Sequence, residues 1–274
     1  MPGAMTAADG TELFVADHPC QQSDAKPARG VVLMHGLGEH SGRYLHVIRF
    51  FNQCGWSVRR YDHRGHGRSG GPAGDIPDGE ALLRDAKIVI DDYTRQLGTP
   101  PILFGHSMGG LFAARYAIAS MSPLRGLILS SPALALRMSA LQKWMLKVIG
   151  GLAPGLAVSN GLRTRYLSHD QAVVDAYEMD PLVHPRISAR LMNSMLDAIG
   201  FSQSQAGTLA IPTLMVVAGD DHLVDPQGSR EFFARLAAGT GELHMYPGFY
   251  HEVFNELDTQ RLFDDVGAWL RKQQ

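Results

Sequence analysis

The chain has 274 residues, 45% of them hydrophobic, and a formal net charge of −2 at pH 7. This length and composition allow one α/β domain with a substantial apolar core. Because the acidic and basic residues are interspersed and nearly balanced, we expect no binding to nucleic acid.

Two cysteines, Cys20 and Cys54, can form one disulfide at most and show no metal-ligand spacing, so we expect reduced thiols. The N-terminus lacks a basic segment followed by an apolar one, and no apolar run reaches about 18 residues. These features predict a soluble, cytoplasmic protein.

Short β-rich runs alternate with segments of helical periodicity over residues 31–131. This alternation is typical of a parallel sheet with helices on both faces, and an earlier run at 11–16 predicts an antiparallel edge strand. The strands predicted within the alternating region are 31–34, 57–61, 102–104 and 126–129.

The alternation stops at about residue 132, and residues 132–206 are typical of several helices interrupted by glycine and proline. It then resumes with strands predicted at 211–218 and 242–246 and helices at 226–237 and 257–270. We therefore predict an α/β core formed by residues 1–131 and 207–274, with residues 132–206 inserted as a helical cap.

A serine in a glycine-bracketed turn lies where a predicted strand becomes a helix. The segment GHSMGG at 105–110 contains Ser107, and such a turn holds the hydroxyl away from the sheet. The pattern occurs again around Ser69, but there a polar stretch precedes it and Gly71-Pro72 follows, with no strand or helix alongside. We predict that Ser107 is a nucleophile and that Ser69 is not.

A serine hydroxyl is a weak nucleophile at neutral pH, so it needs a base and a carboxylate that orients that base. Among the 12 histidines, His251 follows a predicted strand and a turn and precedes the last helix. That position suits a hydrolase in which the chain order is serine, then acid, then histidine. His251 is therefore the predicted base.

Three aspartates after the strand at 211–218 compete for the role of the acid. Asp225 precedes Pro226 at the start of a predicted helix, where N-capping explains it without catalysis. Asp220 and Asp221 cannot be separated on these physical grounds, because either could face a cleft from the loop.

Stabilising an oxyanion requires two N–H donors, one from the residue after the nucleophile and one from an earlier loop. Met108 supplies the first donor. We expect the second from Leu37 in the segment HGLG at 35–38, where Gly36 lets the backbone approach the acyl group closely.

The first part of the predicted cap is too apolar around its circumference for a simple one-sided surface helix. Two interpretations remain open: burial against the core, or an exposed surface that lines an acyl tunnel or rests on lipid. The second would make Trp144 and Met145 substrate contacts and place the protein transiently at a membrane. The apolar positions are Ala133, Leu134, Leu136, Met138, Leu141, Trp144, Met145, Val148, Ile149 and Leu152.

Six motifs are distributed along nearly the whole chain: HGLGEHSGRY (35–44), YDHRGHGRS (61–69), GHSMGG (105–110), DAYEMDPL (175–182), DHLVD (221–225) and GFYHE (248–252). In this order they resemble the monoacylglycerol lipase and lysophospholipase group of the α/β-hydrolase superfamily. The resemblance implies the α/β-hydrolase fold, a mostly parallel central sheet flanked by helices, with a helical cap insertion.

The resemblance also implies that Asp221, rather than Asp220, is the acid and that Leu37 is an oxyanion donor. It implies no catalytic role for the loop that contains Ser69. Glu39 and Arg43 have two interpretations: solvated loop charges, which general burial preferences favour, or residues that shape the polar end of the substrate site.

Together, these features predict a serine esterase that hydrolyses a single-chain lipid ester, a monoacylglycerol or similar glycerol ester, through an acyl-Ser107 intermediate. No metal or organic cofactor is expected. The alternatives are a lysophospholipase or short-chain carboxylesterase; a peptidase, a lactonase or a cofactor-free haloperoxidase on the same scaffold; and a non-catalytic binding protein.

Overall fold

The secondary structure is taken from a computed structural model, which describes residues 2–20 and 28–273. The strands are β1 (Pro2–Thr6), β2 (Glu12–His18), β3 (Gly30–Met34), β4 (Ser57–Tyr61), β5 (Ile102–His106), β6 (Gly126–Ser130), β7 (Ala157–Ser159), β8 (Arg186–Ser188), β9 (Thr213–Ala218) and β10 (Gly241–Tyr246). The α-helices are α1 (Leu45–Gln53), α2 (Ala81–Leu97), α3 (Met108–Ile118), α4 (Ala140–Leu152), α5 (Gln171–Met179), α6 (Ala189–Gln205), α7 (Pro226–Arg235) and α8 (Gln260–Lys272).

One eight-stranded sheet forms the centre, in the order β1-β2-β4-β3-β5-β6-β9-β10. The pairs β1–β2 and β2–β4 are antiparallel, whereas every neighbouring pair from β4 to β10 is parallel. Every residue of β3, β5, β6 and β9 is buried, as expected where helices cover both faces of a parallel sheet. The predicted mostly parallel sheet flanked by helices is confirmed.

Successive residues of one strand pack into different cores, because side chains alternate across a strand. Val31 and Leu33 of β3 pack with residues of α1 and α8, whereas Val32 and Met34 pack with residues of α2 and α3. The carboxyl ends of the parallel strands therefore lie at one edge of a sheet that is buried on both faces. In open α/β sheets, ligands bind outside this edge.

The segment between β6 and β9 holds α4, α5, α6 and the short strands β7 and β8, which pair with each other in antiparallel fashion. The expectation of helices alone is wrong at these strands, because three residues are too few to show an alternation of period two. Helix α6 packs on α3, and its Leu191, Met195 and Ala198 belong to the same core as the sheet. The division at 132–206 stays a prediction.

Candidate active site

Ser107 alone connects β5 to α3, and its backbone has φ 53° and ψ −117°. A positive φ is uncommon for a residue with a side chain and persists where the surroundings enforce it. Here the glycine on each side permits close packing: a Cβ on Gly105 would lie 2.5 Å from the carbonyl oxygen of Gly109. A Cβ on Gly109 would lie 2.4 Å from the carbonyl oxygen of His35. The sequence therefore produces a sharp, strained turn at the serine.

Asp221 and His251 form a buried pair, in which Nδ1 of His251 donates to Oδ2 of Asp221 at 2.7 Å. The other oxygen, Oδ1, accepts from the backbone N–H groups of Leu223 at 2.8 Å and Val224 at 3.0 Å. Both oxygens are thus held in place. Donation from Nδ1 leaves the lone pair of a neutral ring on Nε2, the atom that can act as a base.

The electrostatic environment of His251 favours its protonated form. Burial lowers the pKa of the ring, but the negative charge and hydrogen bond of Asp221, with further contributions from Glu252 and Glu39, outweigh burial and raise it above 6.5. For Asp221, burial raises the pKa, but the charge and hydrogen bond of His251 and two backbone N–H groups lower it below 3.8. The aspartate is therefore ionised at neutral pH.

The residue that precedes Ser107 lies against His251. The ring of His106, next to the serine, lies 4.8 Å from the ring of His251 between centroids. Within residues 2–20 and 28–273, Ser107 Oγ makes no direct hydrogen bond to His251. Such contacts commonly tighten only when substrate binds, so this geometry is compatible with proton transfer between the two residues.

The structure separates the competing aspartates and serines. Asp225 caps α7 by accepting from the N–H of Gln227, so the capping interpretation is confirmed. The carboxylate of Asp220 is more than half exposed and lies beside His222. The hydroxyl of Ser69 donates to the carbonyl of Asp62 at 2.6 Å and accepts from the N–H of Phe14 at 2.8 Å, which is a structural role.

The loop after β3 lies against the serine, because a Cβ on Gly36 would be 3.4 Å from Cβ of Ser107. The N–H of Gly36 is already used, since it donates to Oε1 of Glu39 at 2.6 Å. By contrast, the N–H groups of Leu37 and Met108 have no acceptor among the described residues. These two predicted donors remain available to a ligand.

Glu39 is buried and only a tenth of the Arg43 side chain is exposed, so their interpretation as solvated loop charges is wrong. Arg43 donates to Oε2 of Glu39 at 2.6 Å and through both Nη atoms to Glu252, at 2.5 and 2.8 Å. Tyr44 donates its hydroxyl to Glu39, and the Arg43 guanidinium lies 4.7 Å from the centroid of the Tyr177 ring. No local pattern predicts the pairing of Glu252 with Arg43, because the two residues are 209 positions apart.

Some apolar residues of the predicted cap are buried against the core, and others are exposed. Ala133 and Leu134 are buried, but on α4 the side chains of Trp144 and Leu152 are 62% and 83% exposed. Burial against the core is therefore the wrong interpretation for one group of residues: Leu141, Trp144, Met145, Val148 and Leu152. None of the described helices has both the length and the apolar character needed to cross a bilayer.

The segment between β6 and β9 also borders the loop after β3. The N–H of His184 donates to the carbonyl of Gly38 at 2.9 Å. Near this contact, a cavity of mixed character is lined by Asn160, Leu162, Thr164, Tyr177, Glu178, Val183 and Pro185. This segment therefore contacts the loop that carries the Leu37 N–H.

The family model described as serine aminopeptidase, S33 (Hydrolase_4) matches residues 25–258. The chain belongs to this family of α/β-hydrolases. It is 38% identical to the monoacylglycerol lipase of Mycolicibacterium smegmatis over 252 residues, which cover 90% of this chain and 89% of that protein. It is 31% identical to the phospholipase YtpA of Bacillus subtilis, over 89% of this chain and 95% of that one.

Among solved structures, the monoacylglycerol lipase of Paleococcus ferrophilus is 35% identical, with a TM-score of 0.85 over 96% of this chain and 99% of that chain. The resemblance and the α/β-hydrolase fold inferred from the motifs are thereby confirmed.

Proposed function

We propose that this protein is a serine hydrolase that cleaves the carboxylic ester of a single-chain lipid, a monoacylglycerol or similar glycerol ester. In this proposal Ser107 is the nucleophile, His251 the base and Asp221 the acid that orients it. The observation that carries the proposal is the 2.7 Å bond between His251 Nδ1 and Asp221 Oδ2 beside a strained serine turn. The two free N–H groups of Leu37 and Met108 give it further support.

The reaction runs in two halves. Nε2 of His251 takes the proton of Ser107 as Oγ attacks the ester carbonyl, and the N–H groups of Leu37 and Met108 donate to the resulting oxyanion. His251 then gives the proton to the leaving alcohol as the carbon–oxygen bond breaks, leaving acyl-Ser107. Water then attacks the acyl group as His251 takes its proton, and His251 gives that proton to Ser107 Oγ as the acyl–oxygen bond breaks and the carboxylic acid leaves. Asp221 stays ionised throughout and stabilises the charged imidazole.

Two observations support a lipid substrate. The relatives named as monoacylglycerol lipases in Mycolicibacterium smegmatis and Paleococcus ferrophilus match at 38% and 35% identity. In addition, α4 exposes Trp144 and Met145, and an uncovered apolar surface of this kind suits contact with an acyl chain or a lipid surface. We propose that α4 rests transiently on lipid while Gly36 lies against the acyl carbonyl.

The test of the chemistry is Ser107→Ala. We expect a folded protein whose turnover of p-nitrophenyl esters falls by about 10⁴-fold or more, and which a fluorophosphonate probe no longer labels. Retained turnover or labelling would refute the assignment of Ser107. Absence of labelling in the native protein would favour the non-catalytic alternative.

A second candidate function is hydrolysis of lysophospholipids, favoured by the 31% identity to the Bacillus subtilis phospholipase. A panel of monoacylglycerols, lysophospholipids and aminoacyl amides, each at matched acyl length, separates the candidates. We expect the highest kcat/KM with monoacylglycerols. A preference for the amides would instead support the peptidase alternative that the family description suggests.

A further inference from the structure

Arg43 joins two buried carboxylates on different loops. Its Nη1 donates to both Glu39 and Glu252, and its Nη2 donates to the second oxygen of Glu252, so this pair is bidentate. The side chains are 10%, 3% and 6% exposed, respectively. A two-pronged, nearly dry contact fixes the distance between its partners better than a single exposed ion pair does.

Each carboxylate fixes a different part of the site. Glu39 accepts from the N–H of Gly36, which precedes the N–H of Leu37 along the same loop. Glu252 follows His251 directly, and its own N–H donates to the carbonyl of Leu167 at 2.8 Å. One guanidinium therefore connects the loop that carries an oxyanion donor with the loop that carries the base.

The segment between β6 and β9 covers the Arg43 guanidinium. Tyr177 on α5 is 6% exposed, and its ring lies 4.7 Å from the Arg43 guanidinium. An aromatic face stabilises a cation and excludes water, which strengthens the ion pairs beneath it. The seating of α5 thus protects the link between the two loops.

The cluster is negative, since two carboxylates surround one guanidinium. Asp221 bonds Nδ1 of His251, and Glu252 follows His251 in the chain, so negative charge surrounds the ring that gains a proton during the reaction. In a buried environment, charge arranged in advance stabilises a developing positive charge without reorganisation. Glu252 and Glu39 both act in the direction that favours protonated His251.

We propose that Arg43 is a positioning residue: it clamps Glu39 to Glu252, keeps the oxyanion loop and the His251 loop in register, and holds two carboxylates that stabilise the imidazolium. This positioning role differs from the role in the substrate site that one interpretation of the sequence gave to Glu39 and Arg43. It rests on the function proposed for Ser107 and His251.

Arg43→Met tests the clamp, with Arg59→Met as the matched control. Arg59 is also buried, donates through two nitrogens to Asp17 and through a third to Asp92, and lies 4.6 Å from the Tyr93 ring centroid. Its partners lie on β2 and α2, which contribute no residue to the site. Both variants lose a buried arginine, so a merely structural role would affect the two alike.

For Arg43→Met we expect kcat on p-nitrophenyl acetate to fall about 10²-fold relative to Arg59→Met, with KM changed little, because misplacement of catalytic groups by about 1 Å costs that much. Arg43→Lys keeps the charge without the two-pronged contact and should recover part of the loss. Equal kcat in the two methionine variants, or a rise in KM alone, would overturn the proposal.

Glu252→Gln provides a second measurement if Arg43→Met fails to fold. Removing this negative charge should move the acid limb of the kcat/KM profile to lower pH, because neutral His251 then persists at lower pH. An unmoved limb overturns the electrostatic part of the proposal. These assays require a native protein that a fluorophosphonate probe labels at Ser107. If that labelling is absent, the proposed function itself fails, and this outcome is distinct from failure of the clamp.

Discussion

The rings of His106 and His251 lie 4.8 Å apart between centroids, inclined at 56° to each other. The two histidines differ in charge behaviour. Burial and the nearby charge of His251 lower the pKa of His106 to about 3, whereas Asp221 holds the pKa of His251 above 6.5. His106 is therefore neutral over the pH range in which His251 titrates.

This difference predicts the pH dependence of catalysis. His251 must be neutral to accept the serine proton, so kcat/KM should rise with pH through one ionisation with a midpoint above 6.5. The measurement is a kcat/KM profile on a soluble ester between pH 5 and 9, values chosen as roughly the range in which histidine titrates. A slope that indicates two protons, or a midpoint below 6.5, would contradict the assignment.

The three aspartates of the 219–225 loop should respond differently to substitution. Asp221→Asn should lower kcat by about 10⁴-fold. An asparagine favours the wrong tautomer of the His251 ring and carries no negative charge to stabilise its protonated form. Asp220→Asn should change kcat little, since its carboxylate lies in solvent beside His222. Asp225→Ala should preserve kcat yet lower the free energy of unfolding by about 1 kcal/mol through loss of the α7 cap. Steady-state kinetics and urea denaturation of all three test the order.

The strained backbone at Ser107 predicts a stability difference between two inactive variants. Glycine accepts φ 53° without a Cβ penalty, whereas alanine keeps that penalty. Ser107→Gly should therefore be more stable than Ser107→Ala by about 1 kcal/mol, measured by chemical denaturation. Equal stability would show that the turn is not strained.

Contact with lipid predicts a selective loss on substituting exposed residues of α4. Leu141 and Leu152 are 64% and 83% exposed, and Leu257, outside this helix, is 72% exposed. The double variant Leu141→Ser with Leu152→Ser should bind phosphatidylcholine vesicles several-fold less in a sedimentation assay, because it loses apolar area that partitions into lipid. Leu257→Ser is the control and should bind as the native protein does. Equal loss in both would indicate a general effect of surface hydrophobicity.

A cluster of buried histidines behind the oxyanion loop predicts loss of stability in acid. Burial lowers the pKa of His35 and His63 well below 6.5, and that of His66 to about 4. These groups bind protons more readily when unfolded, so stability should fall as the pH drops below 6.5, by about 1.4 kcal/mol per pH unit for each group. Urea denaturation at a series of pH values measures the slope, and His66→Gln should reduce it. An unchanged slope in that variant would exclude His66 as a cause.

Sequence patterns predicted the parts of the molecule that rest on local chemistry. The turn at Ser107, the cap at Asp225 and the strands of the inner sheet depend on residues close together in the chain, and their positions agree with the structure. Asp221 required the resemblance to a family, because its neighbour Asp220 is chemically identical. The role of Glu252 could not be predicted, because its pairing with Arg43 arises only when the loops after β3 and β10 lie side by side in the fold.

The apolar stretch that includes α4 shows another limit of prediction from sequence: which of its side chains are exposed. Its apolar residues are not confined to one side of the helix, so periodicity could not say which of them face solvent. Leu134 and Trp144 belong to one apolar stretch, yet the first is buried and the second is exposed. Only the packing of the chain on the sheet decides between them.

The order of strands divides the proposed catalytic groups between two stretches of chain. Ser107 and both N–H donors come before the segment between β6 and β9, whereas Asp221 and His251 follow β9 and β10. A growing polypeptide that has passed the nucleophile therefore has no base until residue 251 docks. If the chain were cut between β6 and β9, each of the two fragments would be inert, and ester hydrolysis would report their reassembly.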